Sequence, residues 1–393
     1  MRLLIIALMV SVMPTAFAEL YDSPNHPSNF RRLMGTSLVL DFAGLPLTGK
    51  IADDRTGWSE TYWPSNKGGI AYRWNSPDPQ PFKYKLNTLE DLKKMSPNEL
   101  ATLSPAELYD IANDDYNYTL TKYVFSRFKP NDLWWEGICH GWAQAATHYP
   151  EPAPVKVVNQ SGISLVFGSS DVKGLLAMHE AYNFKSEKPY VFGFVGKRCR
   201  VGGKVPGEGD NRDRNTNPPA EEQAESPDCR DVNAGSFHVV LANMIGIMGK
   251  GFVADIDRYN DVWNQPIVAY TSEVVGEEAV DGVQRSVGIE RRVRIKTVFH
   301  FGEELKYYTP ELYAEGHRNF VSKLPVTNTI HQKVLVKNYE YIIEMNAAGK
   351  IIGGEWISIT RPDFMWNYSK SKHFQNSPVP LANLGKIYRP VRR

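Results

Sequence analysis

The C-terminal part of the chain, from about residue 283, repeats one pattern, and few folds can satisfy it. Segments such as RRVRIKTVFHF (291–301) and KNYEYIIEMNAAGKIIGGEWISI (337–359) alternate apolar and polar residues in short runs. A period of two puts successive side chains on opposite faces of a strand, so these runs demand a sheet with one covered face. Ala348-Gly349 supplies a turn between two of them, which makes the pairing antiparallel. Composition agrees: 42% of the 393 residues are hydrophobic and 23% charged, enough for a packed core and too apolar for wholesale disorder. Nine Trp, 20 Tyr and 26 Pro suit a rigid, loop-rich protein better than a helical bundle.

Helices are marked elsewhere by their caps. Leu89 to Leu103 contains the start signal Ser96-Pro97, and Ser104-Pro105-Ala106-Glu107 combines an N-cap Ser, Pro at the first helical position and Glu at the third. The Ala-rich stretch after Cys139 reads as helix up to Pro150. Ser170-Asp171 caps VKGLLAMHEAY (172–182), and VKVVNQSGISLVFG (155–168) reads as a hairpin. SFHVVLANMIGIM (236–248), GFVADIDRY (251–259) and VWNQPIVAYTSEVV (262–275) read as β runs. The chain is therefore expected to be α+β. Its expected parts are an N-terminal aromatic-rich and helical region over 19–125, a core over 126–280, and β-rich elaborations over 281–393.

Arg2, the apolar run LLIIALMVSVM, and Ala16-Phe17-Ala18 follow the order of a secretory signal peptide spanning residues 1–18. The run is too short to span a bilayer, and no later segment is long and apolar enough to do so. Export, to a periplasm or to the medium, is the expectation. Cleavage after Ala18 removes one Arg from 45 basic residues and leaves 44 against 44 acidic ones. A chain without net charge is a poor candidate for binding nucleic acid by phosphate neutralisation.

Export also changes how Cys139, Cys199 and Cys229 read, since thiols tend to pair in oxidising compartments. The polar, Gly/Pro-rich stretch between the last two resembles one long loop, which a Cys199–Cys229 bridge would close for roughly 3 kcal/mol of stability. Cys139 is then the odd thiol, in WWEGICHGWA at the start of a helix. A helix N-terminus offers unpaired N–H groups and the positive end of the dipole, which favour thiolate. His238 and Asp255 lie in two successive runs read as strands. A helix-borne Cys facing strand-borne His and Asp would supply a nucleophile, a base and a group that orients the base. Papain-like and transglutaminase-like enzymes arrange the same parts in the same order. Asp257 shares the face of Asp255, so alternation alone leaves that choice open.

WWEGICHGWAQAA, CRDVNAGSFHVVLANMIG and FVADIDRYNDVWNQPI together resemble the transglutaminase elicitor family, the secreted transglutaminases of the Phytophthora elicitor type and their bacterial relatives. The fragment Val262-Trp263-Asn264-Gln265-Pro266-Ile267 is similar to the start of that family's plant-recognised peptide. Similarity extends to Tyr62-Trp63-Pro64, Gly68-Gly69-Ile70, SPAELYD, Gly353-Gly354-Glu355-Trp356 and Pro362-Asp363-Phe364. The resemblance implies a papain/transglutaminase-like core and a protein-glutamine γ-glutamyltransferase, joining Gln carboxamides to primary amines through a Cys thioester. It assigns Cys139 as nucleophile, His238 as base and Asp255 as orienting acid, and it matches Cys199 and Cys229 to cysteines that flank the same loop. Protein or peptide substrates with accessible Gln and Lys, or small amines, are the implied partners. A thiol hydrolase, protease or deamidase, using the same three residues with water as acceptor is the alternative.

Leu133 stands where papain-like proteases carry an oxyanion-donating Gln, so the hole is expected from the Cys139 backbone N–H plus Trp134 or Trp135. DIDRYND opens like a calcium loop but has Asn260 at the sixth position and no closing Glu. His140, His148 and His179 do not repeat a zinc spacing with Cys139. No metal or other cofactor is expected.

Overall fold

The computed structural model describes residues 20–52, 57–74, 76, 81–183, 191–196, 231–256, 261–305, 334–369 and 374–391. The leader, the Cys199–Cys229 pair and Asp257 lie outside the described residues. A short helix α1 (Arg31–Met34) and strand β1 (Thr48–Lys50) precede the helical region. That region contains α2 (Leu89–Lys94), α3 (Pro97–Leu100), α4 (Pro105–Ala112), α5 (Thr119–Arg127), α6 (Cys139–His148) and α7 (Ser169–Asn183), with the hairpin β2 (Val155–Val158) and β3 (Ser164–Phe167) between α6 and α7. Next come β4 (Phe192–Gly196), α8 (Ala234–Leu241), β5 (Phe252–Asp255), β6 (Asn264–Glu278), β7 (Arg291–Gly302), β8 (Val334–Met345), β9 (Ile351–Trp356) and β10 (Phe364–Tyr368).

Cap chemistry explains several of these boundaries. Ser96 and Ser104 each close a capping box, with Glu99 and Glu107 respectively. The start signal Ser96-Pro97 within 89–103 begins α3, and α2 ends before it because Met95 is extended and Ser96 precedes a proline, which disfavours helical dihedrals. The hairpin turn expected at Ala348-Gly349 joins β8 to β9, with Gly349 at φ 73°.

All pairings in the main sheet are antiparallel, in the order β4-β10-β5-β6-β7-β8-β9, with β1 on β6 beyond the reach of β5. Helices cover both faces. Phe252, Ala254, Ile267 and Met365 point into a core built with α8. Their alternate neighbours Val253, Phe364, Trp366 and Tyr368 pack against Ala143 of α6. A third core joins α4 to α7 with Trp58 and Trp63, so the aromatic N-terminal stretch is held by packing. Trp142 of α6, fully buried, donates its indole N–H to the Trp58 carbonyl at 3.0 Å, and Trp58 donates to the Tyr149 carbonyl at 3.0 Å.

The β reading of 236–248 is corrected. The segment is α8 followed by a π-helical turn over Ala242–Ile247. Asn233 caps α8, its side chain accepting from the Gly235 and Ser236 amides. Every residue of α8 is buried, so no polar stripe exposes the helical period, and the adjacent valines mimic a strand. The helix lies so close to β9 that a Cβ on Gly235 would sit 2.2 Å from the Gly353 carbonyl oxygen. Bare backbone on both sides permits that approach, which gives Gly353-Gly354 a packing role.

Candidate active site

Cys139 is the first residue of α6, and two backbone segments fix its place. The Ile138 N–H donates to the Tyr62 carbonyl at 2.7 Å, tying the residues before the helix to the strap formed by 57–65. Gly137 makes this possible, since a Cβ there would lie 2.3 Å from the Tyr62 carbonyl oxygen. On the other side, the Asn264 amide nitrogen donates to the thiol at 3.5 Å, and the Val262 carbonyl lies 3.8 Å from it. Cys139 is only 5% exposed.

That burial overturns the thiolate expectation. Desolvation pushes the thiol up to about 11, and the negative charges of Glu304 and Asp255 push the same way, while the Asn264 hydrogen bonds oppose. The helix N-terminus does not outweigh them. At neutral pH the resting group is a protonated thiol, so its chemistry needs a proton acceptor.

Asp255 ends β5 and pairs across the antiparallel ladder with Asn264, the first residue of β6. Paired residues share a face, so the Asp255 carboxylate and the Asn264 amide both turn toward α6. Asn264 is held there by Trp366, whose indole N–H donates to its side-chain oxygen at 2.8 Å. The Asp255 backbone carbonyl accepts from the Asp363 amide at 3.1 Å, and its side chain is fully buried. Cys139, Asp255 and Asn264 thus converge from one helix and two strands.

His238 does not join them. It sits on α8, in the core on the other face of the sheet, and its Nδ1 is 2.8 Å from the Tyr341 hydroxyl. Tyr341 continues through Thr297 to Ser272, each link 2.8 Å. The ring packs 5.7 Å from Phe42. Burial pulls His238 down to about 4, and no charged neighbour contributes to that shift. The imidazole lies on the opposite face of the sheet from α6 and its thiol, so the triad assembled from chain order is corrected: the structure brings Cys139 and Asp255 to one face and leaves His238 on the other. The reason is the error at 236–248. On a strand His238 would have belonged to the sheet, whereas a helix carries it to the layer behind.

Comparison with known proteins bears on what such a site belongs to. The profile described as transglutaminase elicitor matches residues 132–392. The chain belongs to the transglutaminase elicitor family. No curated protein matches it. Its fold is similar to the crystal structure of the GP42 transglutaminase from Phytophthora sojae, with a TM-score of 0.61 and 20% identity, covering 94% of this chain and 98% of that one. The family resemblance expected from the motifs is therefore observed, and the mixed helix and antiparallel-sheet fold is similar to that transglutaminase structure.

In this family member the thiol opens onto a pocket of about 360 Å³, lined by His140, Asn264, Trp135, Glu136 and Phe128 beside Cys139. Phe128 and Trp135 are the aromatic walls of this pocket, while Trp134 and Tyr62 pack on Trp263 with ring centroids 5.8 and 5.3 Å away. Two residues of the site escaped the sequence reading. Asn264 was legible only as part of a recognised peptide, because its role depends on the β5–β6 register. His140 was weighed only as a zinc ligand, although it follows the thiol directly. Among the described residues no cluster of three or more metal-ligating side chains occurs, and no helix is long and apolar enough to cross a membrane.

Proposed function

We propose that this chain is a protein-glutamine γ-glutamyltransferase, exported through its 1–18 leader, in which Cys139 carries the acyl group. The observation that carries this reading is a thiol held by Asn264 in a pocket that both residues line, with Asp255 paired to Asn264 across β5 and β6, in a transglutaminase elicitor protein. The Cys139 sulfur attacks the γ-carboxamide of a peptide-bound Gln. The oxyanion forms at the start of α6, on the Cys139 backbone N–H, ahead of the Gly141 and Trp142 amides that donate to the Ile138 carbonyl. The Trp134 indole N–H is buried without a partner among the described residues and suits the second donor. Ammonia leaves, and a Lys side chain or small amine opens the thioester to give an isopeptide bond. Asn264 holds the sulfur in place, while Asp255 stabilises positive charge that develops beside it. The aromatic walls disfavour water as the acceptor, which separates transfer from hydrolysis.

The test is incorporation of a fluorescent primary amine into a Gln-containing peptide, with released ammonia measured alongside. Wild-type protein is expected to incorporate the amine, and Cys139→Ala to lose incorporation while keeping its circular dichroism. Ammonia without incorporation would assign a deamidase instead. Incorporation surviving in Cys139→Ala would remove the mechanism.

A further inference from the structure

Acyl transfer at Cys139 needs a group that takes the thiol proton and returns it to the departing nitrogen, and His238 lies behind the sheet. The other imidazoles among the described residues are mostly committed elsewhere. His26 packs on Tyr21, His148 pairs with Glu180 at 3.3 Å, and His179 bonds Ser377 at 2.9 Å. His300 sits on β7 opposite Ala269, beyond β6 from the thiol. His140 alone among them lines the thiol pocket.

We infer that His140 is the proton-carrying catalytic residue of this site; the inference rests on the acyl-transfer reading above. Consecutive residues on a helix diverge by about 100°, so the ring does not stack on the sulfur but borders the same cavity from the α7 side. A carboxamide whose carbonyl carbon meets Sγ in this pocket lies beside the ring that lines it. Burial pulls the ring below its ordinary range, opposed only by the Ala181 backbone, so it is a neutral acceptor at physiological pH. The other charged groups lining the pocket are Arg127, Asp132 and Glu136. Arg127 is stacked over Tyr123 and Tyr182, while the two carboxylates accept from the Lys129 and Leu133 backbone amides.

The step balances as follows. The thiol proton passes to His140, directly or across one water, as the S–C bond forms. His140 returns it to the carboxamide nitrogen as the C–N bond breaks, releasing ammonia and leaving the thioester. In the second half an amine N–H proton passes to His140 as the N–C bond forms, and from there to sulfur as the S–C bond breaks.

The discriminating measurement compares two acyl donors, a Gln-containing peptide and a p-nitrophenyl ester, whose leaving group departs without being protonated. His140→Ala is expected to lower kcat/KM for the peptide by about 10²–10⁴. Its acylation by the ester, which still needs the thiol proton removed but no protonated leaving group, should fall by a smaller factor, and added imidazole should restore part of the activity on both donors. If His140→Ala is poorly folded, His140→Gln carries the same comparison. Peptide kcat/KM within threefold of wild type, or equal losses on both donors without imidazole rescue, would overturn the assignment while leaving the acyltransferase standing. Wild-type protein that acylates from neither donor would sink both.

Discussion

His238→Ala separates a core imidazole from a catalytic one, and its consequences can be worked from the structure. The ring is fully buried in the α8 layer, with Nδ1 bonded to Tyr341 and Nε2 without a partner among the described residues. Truncation removes one hydrogen bond, about 1 kcal/mol, although Tyr341 keeps Thr297. It also leaves a cavity, so a total loss of about 2–4 kcal/mol at pH 7 is expected. The pH dependence has a definite sign. Folded His238 titrates at about 4 and the unfolded residue near 6.5. Between those values the unfolded chain binds more protons, so the wild type is fully stabilised above about pH 6.5 and loses stability as the pH falls toward 4. The difference is worth on the order of 3 kcal/mol, and His238→Ala should lack that part of the slope. Urea unfolding of both proteins between pH 4 and 8, with amine incorporation measured per folded molecule, tests the argument. Incorporation should change little. A loss of a thousandfold or more with unchanged stability would refute the placement of His238 behind the sheet.

Two further outcomes follow from the thiol environment. With Cys139 at about 11, roughly 0.1% is thiolate at pH 8, against about a quarter of a thiol at 8.5, so iodoacetamide should alkylate it about 200-fold more slowly than free cysteine. Asp255→Asn removes a neighbouring negative charge and should speed alkylation while lowering amine incorporation. Slower alkylation in that variant would show that the carboxylate does not face the sulfur. Gly137→Ala would drive a Cβ into the Tyr62 carbonyl and should cost about 1–3 kcal/mol in urea unfolding, with an unchanged midpoint arguing that the strap is not held against α6.

Much of the fold was legible because its signals are local. The capping boxes at Ser96 and Ser104, the hairpin around Gly162, and the alternation through β7, β8 and β9 each need only a few neighbouring residues. The motif around Cys139 marked the thiol at a helix start, where it lies. What misled was the burial of α8 on every side. Periodicity reports the contrast between a wet face and a dry one, and a helix dry all round has none. His238 was then assigned to the wrong layer, and the thiol was credited with a helix-dipole effect that desolvation outweighs.

Taken alone, the amino-acid order determined the elements that local chemistry dictates: the capped helices, the alternating strands, the odd thiol at a helix start, and the family motifs around it. Tertiary structure decided which side chains meet. Asp255 and Asn264 face the sulfur because β5 and β6 pair in one antiparallel register, and His238 does not because its helix packs on the reverse of that sheet. Register and layer are properties of long-range packing, where a shift of one residue exchanges faces, and no local window of sequence contains them.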